Sequence, residues 1–446
     1  MKILHIVPAY YPEGPGGIEM YSRGLVAAQR RRGHEPLVLT GTWERRERCC
    51  IVEDAVEGAR VLRLHRDDLY FDHHAKSYHP GVELLIGQVL DRERPDLVHV
   101  HQWVRLTCNL VELAERAGVP AVVTLHDYYA SCPRCYRMHR DGKACFRSLS
   151  VESCRDCVPR FGHETEEELA EGIRLFADQY RAELELARLV FAPTADTARH
   201  LCAFTGLDPE RVEVLPLSYS RRGLEPCPPP EAGEHLRLAN WGRIAPHKGI
   251  DVLIEAFARA LAGRPERRAE LHLFGGIDPG GLEERLRGLA EGLPVHFHGP
   301  YALEQVAAAR PHLGVFASVC IETHGYVLDE CFELGLPCVL TDVGALHVRA
   351  GGAALVYPAG DVGALAERLG RVLDRPALCA ELRARIPAFP PEPEAHAVLL
   401  EERYRRALAA PGRPSVAHPT PTRRAAFLQL QRESAQARIC PEGGPR

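Results

Sequence analysis

Two carboxylates and two cations carry the chemistry this sequence suggests most directly. Glu322 and Glu330 form an E-x7-E pair in FASVCIETHGYVLDECFELGLPCVLTDVG, a run that reads strand, loop, helix, loop, strand. With Gly325 or Tyr326 opening the helix, the backbone N–H groups of Tyr326, Val327 and Leu328 have no intrahelical acceptor, and the helix dipole adds positive charge there. Such a terminus suits a diphosphate. Glu330, about one turn in, is then in reach of ribose hydroxyls, while Glu322 in the preceding loop faces a sugar. Glutamates are common surface residues, so the flanking signals matter: Gly335, Leu336 and Pro337 close the helix tightly before a buried strand.

Upstream, LANWGRIAPHKGIDVLIEAF places Arg243 and Lys248 in a loop between a buried strand and a helix beginning at Ile250. Cations at the carboxyl end of a parallel strand neutralise a leaving diphosphate, with Arg supplying a fork of donors and Lys a compact charge. A solvated loop would also tolerate both. Near the start, Gly14, Gly16 and Gly17 precede a helix opening near Ile18, and glycine there admits a substrate close to the backbone. The pattern is not G-x-G-x-x-G, so it gives no support for a dinucleotide site. Glu19, in the first helical turn, accepts hydroxyls on the acceptor side or complements the dipole. His101 and His126 each end a buried strand and would face a cleft on the acceptor side, His126 being the stronger functional candidate and His101 more readily read as a hydrogen-bonded structural histidine.

Directly after His126 comes a cysteine-rich stretch with Cys132, Cys135, Cys145, Cys154 and Cys157. Two C-x2-C pairs separated by eighteen residues match the spacing of a four-thiolate zinc site, with an iron–sulfur cluster as the alternative and unliganded thiols as the bland reading. A tetrathiolate zinc leaves no open position, so its role would be structural. The other cysteines are scattered and read as packing residues.

These residues need two scaffolds to hold them. Apolar runs at 3–7, 97–101, 121–126 and 189–194, then at 236–240, 270–276, 295–299, 313–318, 337–342 and 353–357, alternate with amphipathic segments. One of those segments, Ile250 to Leu261, aligns Ile250, Leu253, Ile254, Phe257 and Leu261 on one face. Alternating β and α predicts an α/β fold with parallel sheets and helices on both faces. At 446 residues and 46% hydrophobic content the chain is long enough for two such domains, and hence a cleft. A Pro-rich stretch at 219–234 reads as the linker. The expected division is 1–218 with a cysteine-rich insertion at 128–160, then 235–405, then a Pro- and Arg-rich tail at 406–446 in which 425–439 has helical amphipathicity.

Lys and Arg number 55 against 60 Asp and Glu, so a net charge of -5 gives no general attraction to nucleic acid or anionic lipid, and any phosphate site must be local. MKILHIVPAYYP reads as a first strand rather than a signal peptide. No apolar run approaches the roughly 18 residues that cross a bilayer, although peripheral membrane contact stays open. The expected location is cytoplasmic, where the 15 cysteines stay reduced.

With GGIE (16–19), TLHD (124–127), GRIAPHKG (242–249) and ETHGYVLDE (322–330) in this order, the chain resembles the retaining GT-B glycosyltransferases of family 4 over roughly residues 1–405. The resemblance implies a GT-B fold, two doubly wound Rossmann-like domains facing a cleft, and a nucleotide-diphosphate-sugar donor. It implies that Arg243 and Lys248 bind the diphosphate, Glu330 the ribose and Glu322 the transferred sugar, with His126 helping to hold that sugar at the reacting centre. It also implies chemistry without a metal, on one face of the sugar, the leaving phosphate deprotonating the acceptor. Some relatives with a similar insertion use the equivalent of Cys145 in place of Cys135, so either is the spare thiol. His324 departs from the Phe common in the family, which bears on how the sugar is held. Two other readings compete. One is a zinc-ribbon binding protein on a catalytically silent scaffold; the other is a nucleotide-sugar epimerase or sugar phosphorylase on the same fold. The acceptor and the donor nucleotide are not legible.

Overall fold

The computed structural model describes residues 1–412 except 15, 69–77, 159–164, 232, 265 and 267. The chain divides into two compact units, one formed by 1–135, 146–218 and the C-terminal part from 391, the other by 136–145 and 219–390.

The first unit is built on an eight-stranded sheet: β1 (Lys2–Val7), β2 (Glu35–Gly41), β3 (Cys50–Val56), β4 (Ala59–His65), β5 (Leu97–Val100), β6 (Ala121–Thr124), β7 (Leu189–Ala192) and β8 (Val212–Val214). Their spatial order is β3-β4-β2-β1-β5-β6-β7-β8, and every pairing is parallel except the β3–β4 hairpin. β1, β5, β6 and β7 fall where apolar runs predict them. The sequence reading lacks β2, β3, β4 and β8. β3 forms the antiparallel edge and carries an exposed Glu53-Asp54-Ala55 face, and β8 is three residues long, so neither has the continuous apolar run of a strand buried on both faces.

The second unit has six parallel strands: β9 (Leu236–Trp241), β10 (Ala269–Phe274), β11 (Val295–Gly299), β12 (Leu313–Phe316), β13 (Cys338–Thr341) and β14 (Ala354–Tyr357), ordered β11-β10-β9-β12-β13-β14. All six match expectation. The helix Ile250–Ala262 buries Ile250, Leu253, Ile254 and Phe257 as its spacing predicts, with Leu261 only partly covered.

In both sheets the order reverses at one place, between β1 and β5 in the first and between β9 and β12 in the second. At such a switch point the connections on either side leave in opposite directions and open a crevice at the strands' carboxyl ends, where doubly wound sheets bind ligands.

Two expectations about the division need correction. The helix Pro393–Ala409 belongs to the first unit and not to a domain ending at 405. It packs against the Gly17–Arg31 helix, Tyr21 and His396 share a 2.8 Å hydrogen bond, and Arg403 pairs with Glu213. Its sequence shows an amphipathic helix but not which sheet it covers. The stretch read as a linker from 219 is pinned to the second unit. Glu333 accepts from the Tyr219 hydroxyl and from the N–H groups of Arg222 and Gly223, and Cys227 N–H donates to Leu334 O. The tail beyond 412, with its 425–439 segment, lies outside the described residues. Among the described residues, no helix is long and apolar enough to cross a membrane.

Candidate functional site

At the second switch point the loop after β9 carries Arg243 and Lys248, and the loop after β12 carries Glu322. Lys248 ends a short 3-10 turn, Pro246–Lys248, closed by Gly249 at φ 63. A Cβ on Gly249 would lie against Ala317 O, so only glycine lets the two loops approach this closely. Lys248 Nζ donates to Glu322 Oε1 at 2.5 Å, and Ser318 Oγ donates to the same oxygen at 2.9 Å. Burial alone would raise the Glu322 carboxyl, but the Lys248 ammonium outweighs it and holds the carboxylate below its usual range. Burial likewise opposes the Lys248 charge, and Glu322 carries it above the usual lysine range. The structure thus brings together, as a direct ion pair, two residues expected to serve different parts of a ligand.

Arg243 is mostly exposed and clamped on Asp278, its Nε and Nη2 donating at 2.7 and 3.0 Å. The ring of Tyr136 stacks on His247 at 4.0 Å, and its hydroxyl accepts from Arg243 at 3.4 Å. Burial, and then the Lys248 charge, push His247 down to about 4.

The helix Tyr326–Glu333 opens as expected, with Gly325 at φ 73 before its first turn. The loop carrying Arg243 lies beside it: a Cβ on Gly242 would meet Val327 Cγ1 at 3.4 Å. Glu330 is buried, accepting from Trp241 Nε1 at 2.9 Å and from Arg222 at 3.2 Å. Burial raises its carboxyl to about 7 against the pull of Arg222 and Trp241. Sequence reasoning missed Arg222. Its guanidinium meets a partner 108 residues away, and the prolines that follow dominate the local signal.

His324 is buried in the interior of this site. Its Nε2–H donates to Asp329 at 3.2 Å, Arg349 donates to Asp329 and to His324 O, and His324 Nδ1 meets no partner among the described residues. Burial, then the neighbouring Arg349 charge, hold it neutral near 4. In place of a phenylalanine, this position supplies a neutral imidazole that anchors the helix through Asp329.

In the first unit the Gly17–Arg31 helix starts where predicted. Glu19 folds back on its own loop, its Oε2 lying 2.6 Å from where a Cβ on Gly16 would stand, and burial raises its carboxyl to about 7. His126 follows β6 and is partly exposed. His101 is a correction. It is 2% exposed and both its ring nitrogens are engaged, with His5 and His126, so it faces the protein interior instead of an acceptor.

The cysteine-rich stretch holds two similar turns. Cys135 N–H donates to Cys132 O at 2.8 Å, Cys157 N–H donates to Cys154 O at 2.9 Å, and Arg134 donates to Cys157 Sγ at 3.4 Å. Cys145 lies in the 136–145 hairpin, where Cys145 N–H donates to Arg137 O. Among the described residues, two groups of three or more candidate metal ligands converge, His5–His99–His101 and Cys49–Asp67–His79, and neither includes these five cysteines. In the second group His79 Nδ1 accepts from Val82 N–H, which keeps the proton on Nε2 facing Asp67 and leaves that imidazole no lone pair for a metal.

Comparison with known proteins agrees with this architecture. A sucrose-phosphate synthase from Thermosynechococcus elongatus shares the fold with a TM-score of 0.67 at 20% identity, over 92% of this chain and 100% of that one. HepE from Anabaena, solved in complex with UDP and glucose, gives 0.59 at 16% identity over 92% and 100%. The fold is GT-B, two Rossmann-like domains. The model described as Glycosyltransferase Family 4 matches residues 15–218 and that described as Glycosyl transferases group 1 matches residues 236–375. Together they cover well over half of the chain, which belongs to the family 4 glycosyltransferases. A D-inositol 3-phosphate glycosyltransferase from Frankia alni is 29% identical over 299 residues, 63% of this chain and 66% of that protein. The chain thus spans less than two thirds of the length of the first curated relatives it matches.

Proposed function

We propose that the chain transfers a sugar from a nucleotide-diphosphate-sugar donor to an acceptor hydroxyl with retention of configuration. The observation that carries this reading is the Lys248–Glu322 pair at the β9/β12 switch point, flanked by the Tyr326–Glu333 helix N-terminus and by buried Glu330. In this reading the diphosphate takes Lys248 and the Arg243 fork away from Glu322 and Asp278 and rests against the N–H groups of the helix. Glu322, released, accepts from sugar hydroxyls, and Glu330 accepts from the ribose while Arg222 and Trp241 hold it in place. Charge that grows on the leaving diphosphate is met by fixed cations and dipoles, which stabilises the transition state more than the ground state. The leaving phosphate oxygen then removes the acceptor proton on the face from which it departs.

The test is turnover of UDP-, GDP- and ADP-sugars followed by NMR, with water or an added alcohol as acceptor. An α-linked donor giving first-formed α product supports retention; first-formed β product overturns it. Release of an altered nucleotide sugar without transfer would point to an epimerase.

We further propose that zinc draws Cys132, Cys135, Cys154 and Cys157 together as a structural site, Cys145 being the spare thiol. The C-x2-C spacing and the two matching turns support this, and it is the insertion's fold and not the reaction that would depend on it. Purified full-length chain should carry about one zinc per molecule. Folded chain without zinc would overturn the proposal, and iron in its place would point to an iron–sulfur cluster.

A further inference from the structure

His324 closes a ring of hydrogen bonds on itself. Its Nε2–H donates to Asp329 Oδ2 at 3.2 Å, Arg349 Nη2 donates to Asp329 Oδ1, and Arg349 Nη1 donates to His324 O at 2.8 Å and more loosely to Gly325 O at 3.4 Å. The ring starts from the side chain of one residue and ends on its main chain. All of it lies within the second unit, and the His324 and Asp329 side chains are 4% and 2% exposed. Burial works against the Asp329 carboxylate, but the His324 hydrogen bond and the Arg349 charge outweigh it and hold the group below its usual range.

As a means of fastening a loop to a helix, this arrangement is expensive. Apolar side chains of similar volume would fill the space without desolvating two charges, and His324 Nδ1 is left without a partner among the described residues. The loop is also held by other contacts. Ala345 N–H, at the start of the helix Ala345–Ala350, donates to Glu322 O at 2.8 Å, and Leu346 lies so close to Gly325 that a Cβ there would run into its Cδ2. What the ring adds is the direction of one peptide plane. Arg349 draws the His324 carbonyl to itself, and the His324–Gly325 peptide is trans, so the Gly325 N–H in the same plane points the opposite way. Among the described residues no acceptor meets that N–H. It belongs to a partly exposed glycine at the opening of the Tyr326–Glu333 helix, where the dipole favours an anion.

We propose that Arg349, Asp329 and His324 are positioning residues that aim the Gly325 N–H at the anionic part of the donor, adding a fixed backbone donor to the cations Lys248 and Arg243. The proposal rests on reading this loop as part of the donor site. Arg349 acts on the ligand only through the peptide it turns, since its guanidinium is engaged by Asp329 and the two carbonyls.

The test combines crystal structures with titration of ligands into wild-type chain, Arg349→Met and the double variant Asp329→Leu/Arg349→Leu. Arg349→Met leaves a buried carboxylate with one partner fewer and should lower the melting temperature. The double variant replaces the charged pair with apolar side chains and should melt near wild type. Wild type should show the His324 carbonyl on Arg349. In both variants the peptide should turn and affinity for a nucleotide sugar should fall roughly ten- to hundredfold, the scale of one hydrogen bond to a charged group, with affinity for the corresponding free nucleoside unchanged. Should one variant fail to fold, the other decides. A peptide that keeps its direction, or turns with no loss of nucleotide-sugar affinity, overturns the proposal. So does an equal loss for the nucleoside, which is what a general loosening of the loop would give. Because the peptide direction is read without ligand, a wild-type chain that binds no nucleotide sugar would remove the donor reading and still leave the action of Arg349 on the peptide decided.

Discussion

Glu322→Gln should lower kcat/KM for nucleotide-sugar turnover by about 10²–10³-fold, or ~3–4 kcal/mol of transition-state stabilisation, while the chain stays folded. Glutamine keeps the shape of the side chain and an oxygen for Ser318, so what is lost is the charge facing Lys248 and the ligand. The stability cost should be about 1–3 kcal/mol, since the pair is partly open to solvent and one charge is left without its partner. Lys248→Met should cost turnover on a similar scale by leaving the diphosphate short of a cation. The double variant separates two accounts. If the pair serves only the fold, Glu322→Gln/Lys248→Met should recover stability and each single change should leave turnover within about threefold of wild type. If both residues act on the ligand, the double variant recovers stability but not activity.

Gly344→Ala should cost about 3 kcal/mol or more and abolish most turnover even well below the melting temperature. Gly344 sits at φ 70 and ψ -163, a region open essentially to glycine alone. A Cβ there would meet Glu322 O at 2.5 Å and come closer still to Glu322 N, so the collision is with the backbone that aims the Glu322 carboxylate. Ala345 N–H also donates to Glu322 O at 2.8 Å, and that bond would be strained together with it. Gly292→Ala is the matched control. It too has positive φ, at 74, but open space around the new methyl, so it should cost only about 1–2 kcal/mol and leave turnover unchanged. Equal losses of activity in the two variants would show that backbone strain in general, and not the placement of Glu322, controls the reaction.

What the sequence revealed of this molecule follows from how local each signal is. The second sheet was legible throughout because each of its six strands is a short apolar run between amphipathic helices. The helix N-terminus at Tyr326 was legible because Gly325 stands immediately before it. Contacts that join distant segments were not. Arg222 reaches Glu330, and Glu333 gathers the N–H groups of 222 and 223, only because a segment read as linker folds against that helix. Gly344 shows its importance only once it lies against Glu322. His101 was visible as a histidine ending a strand, but its direction depends on His5, which looks in sequence like one polar residue in a buried strand and becomes a partner through the β1–β5 register. The return of the Pro393–Ala409 helix to the first unit, which brings Tyr404 to His99, is equally invisible before folding.

The central claim is that the second unit's switch point holds a nucleotide-diphosphate sugar, with Glu330 ionised against the ribose. It is tested most directly by calorimetric titration of UDP-, GDP- and ADP-sugars into the full chain at pH 6 and pH 8. Burial sets Glu330 near 7, so it is mostly protonated at the lower pH and mostly ionised at the higher, whereas a sugar-esterified diphosphate keeps its charge across this window. At least one nucleotide sugar should bind, roughly five- to tenfold more tightly at pH 8 than at pH 6, and Glu330→Gln should abolish that dependence. Absence of binding by every nucleotide sugar at both pH values would contradict the account.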